Sequence, residues 1–145
     1  MSNEAIFQMG QQALDSQPFS QLIGAKLASY KDGVVELEIP VREELFQQNK
    51  FVHGGVLSYA ADNALTFAGG SALGPDVLTS EYKINYLQPA ISEKIIARAR
   101  VISAGKRQAV CQCDVFLVHE GEETLCATAL GTIAAISSEK ANKEK

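Results

Sequence analysis

Residues 53–75 read HGGVLSYAADNALTFAGGSALGP, and this stretch decides the fold. Val56, Leu57, Ala60, Ala61, Ala64, Leu65 and Ala68 recur at the three- and four-residue spacing of an α-helix. The spacing predicts a helix from His53-Gly54-Gly55 to about Leu73, stopped by Gly74-Pro75. Its other face carries Gly55, Ser58 or Tyr59, Asp62, Thr66 and Gly69. A solvated helix face usually offers Lys and Glu. This one offers small residues around a single carboxylate, which allows a second chain or a ligand to come close.

On the N-terminal side, residues 3 to about 15 read as a short helix that starts at an Asn3 cap, is weakened by Gly10 and is broken by Pro18. From Ala25 to Val41 the pattern turns strand-like, with Val35, Leu37 and Ile39 alternating and Lys31-Asp32-Gly33 as a hairpin turn. Residues 43–52 read as a polar connection. On the C-terminal side four strands follow, over Val77–Leu87, Lys94–Ser103, Ala109–His119 and Thr124–Ile136. The order is helix, two strands, long apolar helix, four strands. Consecutive hairpins and a single apolar helix predict an α+β domain, a largely antiparallel sheet wrapped around one central helix. Residues 1–136 are read as that one domain and 137–145 as a charged, disordered tail.

The 145 residues are 46% apolar and 21% charged, with 11 Gly and 4 Pro, which excludes collagen-like, disordered and disulfide-scaffold chains. One core of this size leaves no room for a second domain, so a site would be shallow or shared between chains. Thirteen Lys and Arg stand against 17 Asp and Glu, and the balance argues against nucleic acid as the partner. The three cysteines, Cys111, Cys113 and Cys126, are odd in number, and the first two alternate; they read as buried strand thiols of a reducing cytosol, with no metal site. The start of the chain lacks a signal-peptide pattern, and no run approaches the roughly 18 apolar residues of a membrane span. A cytoplasmic location away from membranes is the expectation.

Gly54 and Gly55 present backbone N–H groups at the positive end of the helix, where a developing oxyanion would be stabilised. Such a donor contributes on the order of 3 kcal/mol to a transition state. A glycine pair equally permits a sharp turn, and an isolated helical Asp is often merely solvated. Asp62 follows Gly55 by seven residues, roughly 10 Å along the axis at about 1.5 Å per residue. One carbonyl cannot touch both within one chain. Two such helices running antiparallel across a two-fold axis would bring Asp62 of one beside Gly55 of the other, which predicts a homodimer with two composite sites.

The segment from His53 to Asp62 resembles the motif of hot-dog fold thioesterases, in the PaaI-like (phenylacetic acid degradation) and 4-hydroxybenzoyl-CoA branch. The likeness extends from about residue 20 to 136 and includes Tyr86-Leu87-Gln88-Pro89-Ala90. It implies hydrolysis of an aryl- or medium-chain acyl-CoA by homodimers that pair further, with coenzyme A as part of the substrate and no other cofactor. Gly55 would polarise the thioester carbonyl with Gly54 beside it, and Asp62 would act as nucleophile or as base for water. Gln47, or its neighbours Gln48 and Asn49, would contact the carbonyl side. Thr66 would orient the water, and Thr79 or Ser80 would add a hydroxyl. His53 would either support the loop or move a proton. Lys106 and Arg107 would meet the coenzyme A phosphates, unless they form a plain solvated turn. Tyr59, Phe67 and Tyr82 would shape an acyl pocket or simply pack the core, and His119 reads as surface. Two other functions remain open at this stage. One is a hot-dog dehydratase or hydratase, although those space His and acid more widely and lack the HGG helix start. The other is a non-catalytic acyl-CoA-binding or regulatory module, against which Gly55, Asp62 and Thr66 count.

Overall fold

The computed structural model describes residues 1–136; the tail read at 137–145 lies outside them. Helix α1 spans Asn3–Asp15 and is capped by the Ser2 hydroxyl, which accepts the Ala5 N–H at 3.1 Å. The cap is therefore one residue earlier than Asn3. Gly10 is no weak point, because it is buried beneath Leu27 and Tyr30, where a larger residue would not fit. Pro18 does more than break α1. It opens a second short helix, α2 (Pro18–Ile23), at a position where its missing N–H costs nothing.

Strands β1 (Lys26–Lys31) and β2 (Val34–Pro40) are joined by Asp32 and Gly33, both at positive φ (55° and 76°), as a tight hairpin of matching twist requires. The predicted polar connection contains a single 3-10 turn at Glu43–Leu45 and a short bridge between Phe46 and Val52. Helix α3 follows over Gly54–Leu73. Strands β3 (Val77–Tyr86), β4 (Lys94–Ala104), β5 (Gln108–His119) and β6 (Glu122–Ala135) complete a six-stranded sheet in the order β1-β2-β4-β5-β6-β3. Every pairing is antiparallel.

The sheet wraps α3 as the apolar periodicity predicts. Ala60, Ala61, Ala64, Leu65 and Ala68 are fully buried against Val35, Ile95, Ala97, Cys111, Val115 and Ile133. Burying each Leu, Ile or Val side chain contributes about 1.5–3 kcal/mol, and the alanines let the helix axis approach the strands. Gly69, read from the sequence as part of the small polar face, belongs to this core instead. A Cβ there would lie 2.5 Å from Ile133 Cβ. The three cysteines are free and buried in β5 and β6. Among the described residues, strand β3 lies at a sheet edge and is hydrogen-bonded only to β6.

Candidate active site

Side chains four residues apart on α3 point toward β3, and there the sequence-predicted acid acquires partners. Thr79 Oγ1 donates to Asp62 Oδ1 at 2.7 Å. Thr66, one helical turn beyond Asp62, donates to the Asp62 carbonyl oxygen at 2.9 Å and lies 3.0 Å from Thr79 Oγ1. All three residues are half-buried. A charged acceptor strengthens the Thr79 bond, which fixes the plane of the carboxylate. Among the described residues no group donates to the second oxygen, Oδ2, and it is the one left for a reactant. Thr79→Val is expected to lower kcat about tenfold to a hundredfold, the worth of one hydrogen bond to a charge. Thr79→Ser should restore most of the loss in a steady-state assay, and equal activity in all three proteins would remove Thr79 from the site.

The choice between Thr79 and Ser80 follows from a bulge. The β3–β6 register slips between Thr79 and Glu81, so the inward, half-buried positions run 77, 79, 82, 84 rather than in strict alternation. Ser80 sits in the slip and is exposed. Tyr82 regains the inward face, and its hydroxyl meets Ser58 on α3. Gly131 pairs with Tyr82 and makes room for the slip, since a Cβ there would come within 2.8 Å of the Glu81 carbonyl oxygen.

At the start of α3 the structure adds a partner that spacing does not show. The Gly55 N–H is not open: it donates to His53 Nδ1 at 2.8 Å, so His53 caps the helix with its own ring. An accepting Nδ1 places the ring proton on Nε2. The Gly54 carbonyl accepts the Tyr86 hydroxyl at 3.1 Å. Tyr86 was not singled out as a site residue, although it opens the segment that carried the resemblance. Gln47 is half-buried, but its amide oxygen accepts the Asn49 N–H inside its own turn, while Gln48 and Asn49 are exposed. Its amide nitrogen is what remains for a ligand.

Other predicted residues stay apart. Lys106 and Arg107 are exposed in the β4–β5 turn, where the Arg107 carbonyl meets the end of β6. That end of the sheet adjoins the C-terminus of α3, a 20-residue helix about 30 Å long, so one chain does not bring these cations to Gly55. The three candidate pocket aromatics point in three directions. Tyr59 bonds Ser20 on α2, Phe67 packs edge-on to Tyr30 on β1, and Tyr82 meets Ser58. His119 is exposed, as read. Among the described residues no three His, Cys, Asp or Glu side chains gather as metal ligands, and no helix is long and apolar enough to cross a membrane.

Residues 49–124 match the family model of the thioesterase superfamily. A protein of Saccharolobus solfataricus that carries a provisional esterase name is 31% identical over 138 residues, covering 91% of this chain and 90% of that one. A 1,4-dihydroxy-2-naphthoyl-CoA hydrolase of Listeria monocytogenes is 27% identical over 108 residues, covering 73% of this chain and 86% of its own. Among solved structures, a thioesterase family protein of Silicibacter pomeroyi superposes with a TM-score of 0.84 at 32% identity, covering 90% of this chain and 98% of that chain.

Proposed function

The chain belongs to the thioesterase superfamily, and on that premise we propose that it hydrolyses the thioester of an aryl- or medium-chain acyl-CoA in a site shared by two protomers. The observation that carries this reading is the Asp62 carboxylate, held through one oxygen by Thr79 and open at the other. A Gly55 N–H of one protomer receives the thioester carbonyl, which replaces the His53 imidazole as the acceptor. Asp62 of the facing protomer either attacks the carbonyl carbon or takes a proton from a water that does so. The tetrahedral oxyanion then collapses and expels the thiolate of coenzyme A, which leaves the free acid where water attacked and an acyl–Asp62 anhydride where the carboxylate did; water then cleaves that anhydride to the free acid and the Asp62 carboxylate. Label found in Asp62 after a single turnover in ¹⁸O water identifies attack by the carboxylate with cleavage of the anhydride at the Asp62 carboxyl carbon, because a water activated by Asp62 leaves none there. No metal or further cofactor is called on.

Pairing through α3 and the edge of β3 is supported by that edge, which no described strand covers, and by Leu78 and Tyr86, both more than half exposed along it. Leu130, exposed on the outer face of the sheet, supports a further pairing of dimers. The acidic balance supports a small-molecule substrate rather than nucleic acid. Three free, buried thiols support a cytoplasmic location.

The test is release of free thiol from a panel of acyl-CoA esters, from butyryl to decanoyl together with benzoyl and hydroxybenzoyl. Turnover of at least one ester well above the uncatalysed rate is expected, and none above background overturns the proposal. The protein's own thiols should not disturb the assay. Burial pushes the Cys126 thiol from its ordinary value of 9.0 up to about 11, and Cys111 and Cys113 are raised for the same reason. A neutral, buried thiol is a poor nucleophile. The native protein should therefore leave a disulfide reagent unreacted at pH 8 and yield three thiols once unfolded. Because the folded protein favours the protonated thiol, this contribution to stability is complete below about pH 9 and is lost as pH rises through about 11.

A further inference from the structure

Strand β3 meets α3 through three hydroxyl-bearing side chains in succession. Thr79 holds the Asp62 carboxylate at 2.7 Å, the Tyr82 hydroxyl meets Ser58, and the Tyr86 hydroxyl donates to the Gly54 carbonyl oxygen at 3.1 Å. The helix partners Gly54, Ser58 and Asp62 are four residues apart and share one face. The chemistry proposed above uses the first of these contacts, and the third touches that chemistry at another point. The Gly54 carbonyl and the Gly55 N–H are the two ends of one planar, delocalised peptide group. Tyr86 therefore grips the amide whose N–H is to receive the thioester carbonyl.

Holding one end of that plane does two things. It fixes the direction of the N–H after the His53 ring, the partner at the other end at 2.8 Å, gives way to substrate. The Tyr86 ring is seated for this, since a Cβ on Gly54 would lie 3.5–3.6 Å from its Cζ, Cε1 and hydroxyl, in ordinary contact. It also polarises the amide. A donor at the carbonyl oxygen draws electron density from the nitrogen, and hydrogen bonds linked in this way strengthen one another by about 10–30% per bond. A developing oxyanion gains more from a stronger donor than the ground-state carbonyl does, so the effect belongs to kcat rather than KM. Tyr86 is more than half exposed in one protomer, where water competes for its hydroxyl. Pairing along the β3 edge would cover the ring and dry the bond, in the same step that completes the site.

We propose that Tyr86 is a positioning residue for this reaction: through the carbonyl of the Gly54–Gly55 peptide it aims and strengthens the N–H that stabilises the oxyanion. The inference rests on the thioesterase reading above. One strand then serves both sites of a dimer, with Thr79 on the carboxylate of one and Tyr86 on the donor of the other.

Tyr86→Phe removes the hydroxyl and keeps the ring, so the apolar surface of the strand edge is retained. For the ester that the parent turns over fastest, it is expected to lower kcat about twofold to fivefold, that share of one oxyanion donor, and to leave KM and the dimer unchanged. Ser58→Ala breaks the neighbouring contact to Tyr82 and so tests the fastening of strand to helix alone. No loss of kcat in Tyr86→Phe, a loss confined to KM, or an equal loss in Ser58→Ala overturns the assignment. Nuclear magnetic resonance reads the peptide itself, without substrate. In isotopically labelled protein the Gly54 carbonyl carbon and the Gly55 amide proton should both move upfield in Tyr86→Phe. A carbonyl shift with an unmoved Gly55 proton, or no shift in either, overturns the coupling. If the parent hydrolyses no ester but both signals move together, the hydrolase reading fails and the grip of Tyr86 on the Gly55 donor stands.

Discussion

Asp62→Asn should reduce kcat about a thousandfold, close to 4 kcal/mol of transition-state stabilisation, with little change in melting temperature. The amide retains an oxygen to accept the Thr79 hydroxyl, so the contact at 2.7 Å survives in kind. Asp62 is half-buried rather than enclosed, so neutralising it costs the fold little. What disappears is the capacity of Oδ2 to take a proton or to attack a carbonyl. Retention of more than a tenth of the activity would remove Asp62 from the chemistry. The same variant tests the shared site. Gly55→Pro removes the N–H donor in the first turn, at the cost of the His53 cap, since the added Cβ would lie 2.9 Å from His53 Nδ1 and turn that ring away. Each variant alone should be inactive. Subunits exchanged between the two should recover about a quarter of the parent activity, because half of the dimers would be mixed and each would hold one intact site. No recovery after verified exchange would mean that Gly55 and Asp62 do not act across the interface.

The largest effect on stability is expected at Gly69. Alanine is the better helix former, by about 1 kcal/mol, and on an exposed helix the change would stabilise. Here the added Cβ would lie 2.5–2.7 Å from three side-chain atoms of Ile133, a residue with no exposed surface in the middle of β6. Neither partner has room to turn away, so α3 must lift from the sheet. Overpacking of this kind costs about 3 kcal/mol, which outweighs the gain in propensity. The net of about 2 kcal/mol should lower the melting temperature by about 6 °C in Gly69→Ala. A melting temperature equal to or above the parent's would show that the helix is free to shift.

Much of this architecture was legible because it depends on local periods. The three- and four-residue repeat of Val56, Leu57, Ala60, Ala61 and Ala64 marks α3, and Gly74-Pro75 marks its end. The alternation in β4 separates buried Ile95, Ala97 and Ala99 from outward Arg98 and Arg100. Pro18 misled because proline both ends one helix and favours the start of another, and the difference lies in what Phe19, Ser20 and Ile23 later pack against. Gly69 misled for a related reason. A small residue on a helix signals close approach, but the helix alone does not say whether the neighbour is a ligand, another chain or its own sheet.

The sequence by itself determined the central helix, the antiparallel sheet around it, and a carboxylate too far along the helix from the glycine pair to share one carbonyl with it. These follow from spacings of two, three, four and seven residues along a chain of known rise. Tertiary structure alone decided that Thr79 rather than Ser80 holds Asp62, that His53 occupies the Gly55 N–H, and that α1 and α3 enclose a cleft. The first depends on a slip in register between two strands, the second on one side-chain torsion, and the third on a separation between segments remote in sequence. Periodicity carries no record of any of these, because each is a distance that exists only after the chain has closed on itself.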